Sequence, residues 1–164
     1  MKNEKLLIAF FSYHGHTRSL AEQIQKIAGG TLYEILPQEP YAEEYNDCRA
    51  RAKQENSEGA NIPLQGTCHD FSRYDTVLLG TPNWFGIVTP PVASFMKQYD
   101  FSGKAVLPFC THGGGGMGHI VANVAEALPS AKVREGMEVQ EGSEEESEGK
   151  IRAWLQNNGI SLDS

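Results

Sequence analysis

Ser12, His14, Gly15, His16 and Thr17 follow directly on an apolar run, Leu6 to Phe11, and no acid occurs between Lys5 and Leu20. Hydroxyls, imidazoles and a turn-forming glycine without a carboxylate suit an anion. A helix beginning near His16 would add free backbone N–H groups and about half a positive charge at its start. The loop therefore reads as a phosphate nest, or else as an ordinary strand-to-helix turn. It carries neither the GxxxxGK[ST] of a nucleotide-binding loop nor G-x-G-x-x-G.

Two further loops have unusual composition. Thr81, Pro82, Asn83, Trp84, Phe85 and Gly86 follow the apolar stretch "DTVLLG". Their aromatic rings serve either as a small local core or as a stacking wall for a planar ligand. Thr111 and His112 precede Gly113, Gly114, Gly115, Gly116 and Gly118. Such glycines form a flexible linker or let bare backbone approach a ligand closely, and buried-looking flanks favour the second. Phosphate nest, aromatic wall and glycine edge together describe a site for a planar heterocycle carrying a phosphate. His112 either donates a hydrogen bond there or is structural. Cys110 reads as a small buried residue.

These loops need a scaffold that brings them together. "KLLIAFF", "DTVLLG" and "KAVLPFC" are continuous apolar runs, the pattern of parallel strands covered on both faces. "TLYEILP" makes a further strand stopped by Pro37, and Ala131 to Arg134 a short fifth. Pro108 strains the strand assignment, since it offers no N–H to a ladder; the run ends two residues later, where pairing would be finishing. Leu20, Ile24 and Ile27 mark an amphipathic helix closed by Gly29-Gly30. Residues 42 to 56 suggest an exposed helix with Tyr45, Cys48 and Ala52 on one stripe, and 57 to 70 a loop. Thr89-Pro90-Pro91 opens another helix. Residues 119 to 128 and the segment around Ile151, Trp154 and Leu155 supply two more, and the acidic run Glu141 to Glu148 reads as a solvated helix start. Alternating strands and helices imply right-handed crossovers and an open α/β sheet with helices on both faces. Ligands of such sheets bind at the carboxyl ends of the strands, where the three loops lie.

Composition sets outer limits. A chain of 164 residues fits one domain, 1–164, and a net charge of −7 argues against nucleic acid. No run approaches a membrane span, and the N-terminal apolar stretch is too short for a secretory signal. Three scattered cysteines without a CxxC pair give no metal site or disulfide framework and favour a cytoplasmic location.

"SYHGHTR", "GTPNWFG" and "PFCTHGGGGMG", at this spacing and on these strands, resemble the flavodoxin family, and the short-chain bacterial flavodoxin-like proteins in particular. The resemblance implies a five-stranded parallel sheet of order 2-1-3-4-5 and non-covalently bound FMN. It places Ser12, His14, Gly15, His16 and Thr17 on the phosphate, residues 81 to 86 beside the flavin ring, and residues 111 to 118 at its polar edge. It implies a backbone carbonyl of the second loop that turns toward the ring on reduction, with Gly86 the residue best placed to permit the turn. His16 stands where many relatives carry asparagine.

Two functions follow. One is a low-potential electron carrier, a monomer or weak dimer, working between redox partner proteins, a basic docking surface among the options. The other is a flavin-dependent NAD(P)H:quinone or small-acceptor reductase. No nicotinamide fingerprint follows the first strand, which favours the carrier. A response-regulator role lacks its acidic pocket, and none of Cys48, Cys68 and Cys110 has the arginine six residues on that a low-molecular-weight phosphatase needs. The chain's charge is expected to lower the reduction potential. Yet screening over about 8 Å and donors contributing about 1.5–3 kcal/mol each let local geometry outweigh distant carboxylates at the phosphate.

Overall fold

The apolar runs build the centre of a single parallel sheet. In the computed structural model, which describes residues 3–162, β1 (Leu6–Phe10), β2 (Thr31–Glu34), β3 (Thr76–Pro82), β4 (Ala105–His112) and β5 (Lys132–Val133) lie in the order β2-β1-β3-β4-β5. Residues 1, 2, 163 and 164, included in the one-domain expectation, lie outside the described residues. Every strand pairing is parallel, and a helix lies in each of the four crossovers: α1 (His16–Ala28), α2 (Tyr45–Ser57), α3 (Pro90–Gln98) and α4 (Ile120–Ala127); α5 (Glu148–Asn157) follows the last strand.

Side-chain alternation splits the core in two. Leu6, Ile8, Phe10, Leu78, Leu107 and Phe109 pack under α1 and α5, against Leu20, Ile24, Ile151 and Trp154. Leu7, Ala9, Phe11, Val77, Leu79 and Val106 pack on the opposite face with Val92, Phe95 and Val124 of α3 and α4 and with Ala52 of α2. Gly29 and Gly30, at φ +76° and +87°, end α1 with the Gly29 N–H bonded to the Gln25 carbonyl. In α2 the expected stripe is only partly apolar: Cys48 and Ala52 are buried, whereas Tyr45 faces out.

The fifth position differs from expectation. A further strand, β6 (Met137–Gln140), pairs with β4 beyond the two-residue β5. Val106 lies opposite Val133 and Phe109 opposite Met137, three steps along β4 against four along the edge. The edge therefore bulges between β5 and β6. This explains Pro108, which sits within an interior strand and not where pairing finishes. The carbonyls of Lys104, Val106 and His112 accept from Lys132, Arg134 and Glu141, while that of Thr111 accepts from Asn83. Even-numbered residues of β4 thus face the edge, and the missing N–H of Pro108 points at the bulge. Gly136 passes there so closely that a Cβ would lie 3.2 Å from the Pro108 carbonyl oxygen.

Candidate functional site

The first loop turns through Gly15, at φ +92°. Ser12 caps α1 from a distance, its Oγ accepting the N–H groups of Gly15 (3.1 Å) and Arg18 (3.2 Å). The N–H groups of His16 and Thr17 are then left without an acceptor among the described residues. Thr17 is buried, with its Oγ1 2.8 Å from Oγ1 of Thr111. Two hydroxyls share two hydrogens; one is used between them, so the pair has one left to donate.

The loop itself has no acid, but the fold brings two to it, Glu141 beside the neck and Glu144 on His16. Glu144 is only 6% exposed; its Oε1 lies 3.0 Å from His16 Nδ1 and its Oε2 accepts the Gly142 N–H. The acidic run is thus not simply a solvated helix start. Residues 144–146 form a 3-10 turn packed on α1, and Glu141 closes β6 by donating its N–H to the His112 carbonyl. His16 retains Nε2 for another partner.

The second loop is a tight turn. Ile87 N–H donates to the Trp84 carbonyl, with Phe85 at φ +62° and Gly86 at +79°. Positive φ at both central positions is the type I′ pattern. Gly86 carries it without cost; Phe85, a residue 42% exposed, does not. Asn83 ties the turn down: its Oδ1 accepts the Gly86 N–H at 2.8 Å and its Nδ2 donates to the Gly116 carbonyl at 2.8 Å. The Gly86 carbonyl accepts from His119 N–H at 2.7 Å. Trp84 makes edge contacts with Phe11, Tyr13 and Tyr41 at 5.3–5.7 Å while also lining a cavity, so it is both local core and wall. Thr81 is buried, and its hydroxyl is occupied by the Pro82 carbonyl and by Thr89.

In the third loop His112 is committed at both nitrogens. Nδ1 accepts the Gly114 N–H at 2.9 Å, which puts the ring proton on Nε2, 2.5 Å from Glu138 Oε1. Lys150 Nζ bonds the other oxygen of Glu138 at 2.6 Å. The ammonium first, then the imidazole, holds the Glu138 carboxyl below the usual carboxylate range. Cys110 is fully enclosed, and burial pushes its thiol up to about 12; all three cysteines are buried and free.

Together the loops border a narrow neck of about 40 Å³ beside Thr17, His16 and Thr111 and a cavity of about 470 Å³ beyond it. His14, Pro82, Trp84 and Thr111 line both spaces. Asn83, Phe85, His112 and Gly113 line the larger one, with Tyr45, Cys48 and Arg49 of α2 opposite. Gly86, Gly114, Gly115 and Gly118 border a shallow depression on the outer side of the third loop, and Ser12 opens onto a separate hollow by Tyr41. Gly15, Thr81 and Gly116 shape loops without lining any of these spaces.

Glu138, Glu144 and Arg49 were not among the candidates drawn from sequence. The alternation Met137-Glu138-Val139-Gln140, apolar residues buried and polar ones outward, is the one signal that pointed to Glu138. A small neck with unsatisfied donors, opening into a broad aromatic-walled cavity, fits a planar ring on a chain ending in an anion. Among the described residues no set of three or more His, Cys, Asp or Glu side chains is gathered for a metal ion, and no helix is long and apolar enough to cross a membrane.

The family model for Flavodoxin matches residues 5–158. Among solved structures, one described as a flavoprotein from Bacteroides eggerthii is 28% identical, with TM-score 0.85, and the match covers 96% of this chain and 99% of that one. Another from Bacteroides uniformis is 26% identical, TM-score 0.83, covering 94% and 99%. A flavoprotein from Lactobacillus acidophilus, solved in complex with FMN, is 23% identical, TM-score 0.74, covering 89% and 99%.

Proposed function

Because the chain belongs to the flavodoxin family, we propose that it binds one FMN non-covalently and works as a low-potential electron carrier between protein partners in the cytoplasm, as a monomer or weak dimer. One observation carries the cofactor reading: the free N–H groups of His16 and Thr17 open at the neck of an aromatic-walled cavity. The similar Lactobacillus acidophilus protein holds FMN, and the residues here fit that group. The neck would take the phosphate, on the His16 and Thr17 N–H groups and the remaining hydroxyl hydrogen of Thr17 and Thr111. The larger cavity would take the ring, against Trp84, Pro82 and Gly113. Bound FMN supplies one- and two-electron redox chemistry.

The protein's contribution is positioning and charge. Glu141 and Glu144 stand near the neck, Glu43 and Glu44 precede α2, and Glu145 and Glu146 are exposed. This acidic surround disfavours added negative charge on the ring, which lowers the potential, and steers basic partner surfaces toward it.

The second reading, the NAD(P)H-dependent reductase, is favoured by the breadth of the cavity and the exposed aromatics at its mouth. Adding NADPH to the purified yellow protein without oxygen separates the two. A carrier keeps its colour until a partner protein is supplied; rapid bleaching by NADPH alone would overturn the carrier reading. Mass identification of the extracted flavin checks the cofactor, with stoichiometric FAD the contrary result.

Thr17→Val tests the phosphate position. It removes a hydroxyl and little volume, so FMN binding should weaken by about 1.5–3 kcal/mol, roughly ten- to hundredfold, while riboflavin binding stays level. Flavin fluorescence titration measures both. Equal loss for the two ligands would show that the Thr17–Thr111 pair acts through the fold instead.

A further inference from the structure

The cavity mouth carries a cation that no carboxylate among the described residues offsets. Arg49, on the exposed side of α2, has no carboxylate partner among the described residues, in a chain whose net charge is −7. Its guanidinium lies 5.0 Å from the Phe85 ring centroid, and Nη1 reaches the Tyr45 hydroxyl at 3.4 Å. Arg18, Arg51 and Arg152 each pair with a glutamate; among the described residues Arg73 and Arg134 do not, but they border neither the neck nor the cavity. Only three large apolar side chains are exposed among the described residues, and two of them, Tyr45 at 69% and Phe85, flank Arg49. Phe85 holds its ring there from a left-handed backbone, where a side chain other than Gly, Asn or Asp is uncommon. Strain of this kind gathers at ligand sites.

We propose that Tyr45, Arg49 and Phe85 form a subsite for a second small molecule, planar, aromatic and anionic, beside the FMN ring. Two exposed aromatic faces select a planar partner. A guanidinium without a carboxylate, already stacked and weakly hydrated, selects an anion of planar or trigonal shape. The three groups border a concave space and not a flat patch, which favours a small molecule over a protein surface. The subsite rests on FMN occupying the inner cavity and does not depend on the carrier role.

Non-redox probes test binding apart from turnover. The FMN-loaded protein is titrated with naphthalene-2-sulfonate and with neutral 2-naphthylmethanol, followed by equilibrium dialysis. The sulfonate should bind more tightly, and the preference should shrink as salt rises. Arg49→Gln should weaken the sulfonate by about tenfold or more and leave the alcohol unchanged. Arg49→Lys should recover part of the loss, and Tyr45→Ala should weaken both probes alike. FMN affinity, measured in parallel, should fall far less than sulfonate affinity in the Arg49 variants. Uptake of FMN with no preference for the sulfonate would overturn the subsite and leave the cofactor reading intact. So would an Arg49→Gln loss of FMN equal to its loss of sulfonate, since Arg49 would then serve the cofactor. Failure to load FMN at all would sink the cofactor reading and the subsite with it.

Discussion

Gly80→Ala should destabilise the protein by about 3 kcal/mol and lower its melting temperature by roughly 10 °C, the cost of overpacking a closed core. Gly80 sits within β3, opposite Phe10 on one side and Phe109 on the other. A Cβ built there would lie 2.3 and 2.4 Å from Cζ and Cε2 of Phe109. The ring cannot withdraw cheaply, because Phe109 is fully buried and meets Trp154 edge-on at 6.1 Å. Gly80 is thus required for the space it leaves. Pairing Gly80→Ala with Phe109→Leu should relieve the clash, so the double variant should lose less than the two single losses added, by about 1–2 kcal/mol. Thermal unfolding of all four proteins gives the cycle. An unchanged melting temperature for Gly80→Ala would show that the ring yields freely and the account is wrong.

Gly80 also illustrates what could be read from the chain alone. "DTVLLG" was legible as a buried strand because burial on both faces leaves a continuous apolar run; the ring lying across its glycine depends on register with a strand 29 positions on. The same division recurs elsewhere. β1, β3 and β4 and their covering helices were recoverable from period and caps. The edge was not, since β5 and β6 are two and four residues long and half polar. Pro108 looked like a fault in β4 until the bulge opposite it was known. At the site, the meeting of three loops followed from the rule for parallel sheets. What their polar atoms do there did not follow, because the atoms spend themselves on each other: Thr17 on Thr111, Asn83 on Gly116, His112 on Glu138. Glu144 shows the limit most plainly. An acid within a glutamate-rich run reads as solvated, and only contact with a histidine 128 positions earlier buries it.

Asn83→Ala should weaken FMN and riboflavin to the same degree, by about a hundredfold, for the loss of two hydrogen bonds and the stranding of the Gly86 N–H. Both ends of the Asn83 amide are engaged within the protein. Its Oδ1 holds the Gly86 N–H of the second loop, and its Nδ2 holds the Gly116 carbonyl of the third. It is therefore a positioning residue that fixes the aromatic wall against the glycine edge, and a ligand feels its loss through disorder of both loops. That is why riboflavin should suffer as much as FMN, in contrast with Thr17→Val. Asn83→Asp sharpens the test. The carboxylate can still accept from Gly86, but it faces the Gly116 carbonyl with no hydrogen to donate, so half the clamp becomes repulsive. Asn83→Asp should consequently be no better than Asn83→Ala. Hydrogen exchange supplies a readout independent of any ligand, because the Gly86 amide should exchange faster in Asn83→Ala and stay protected in the wild type. Two results would count against the clamp: a loss confined to FMN, which would place Asn83 on the phosphate, or full binding by Asn83→Asp, which would show that Gly116 is held by something else.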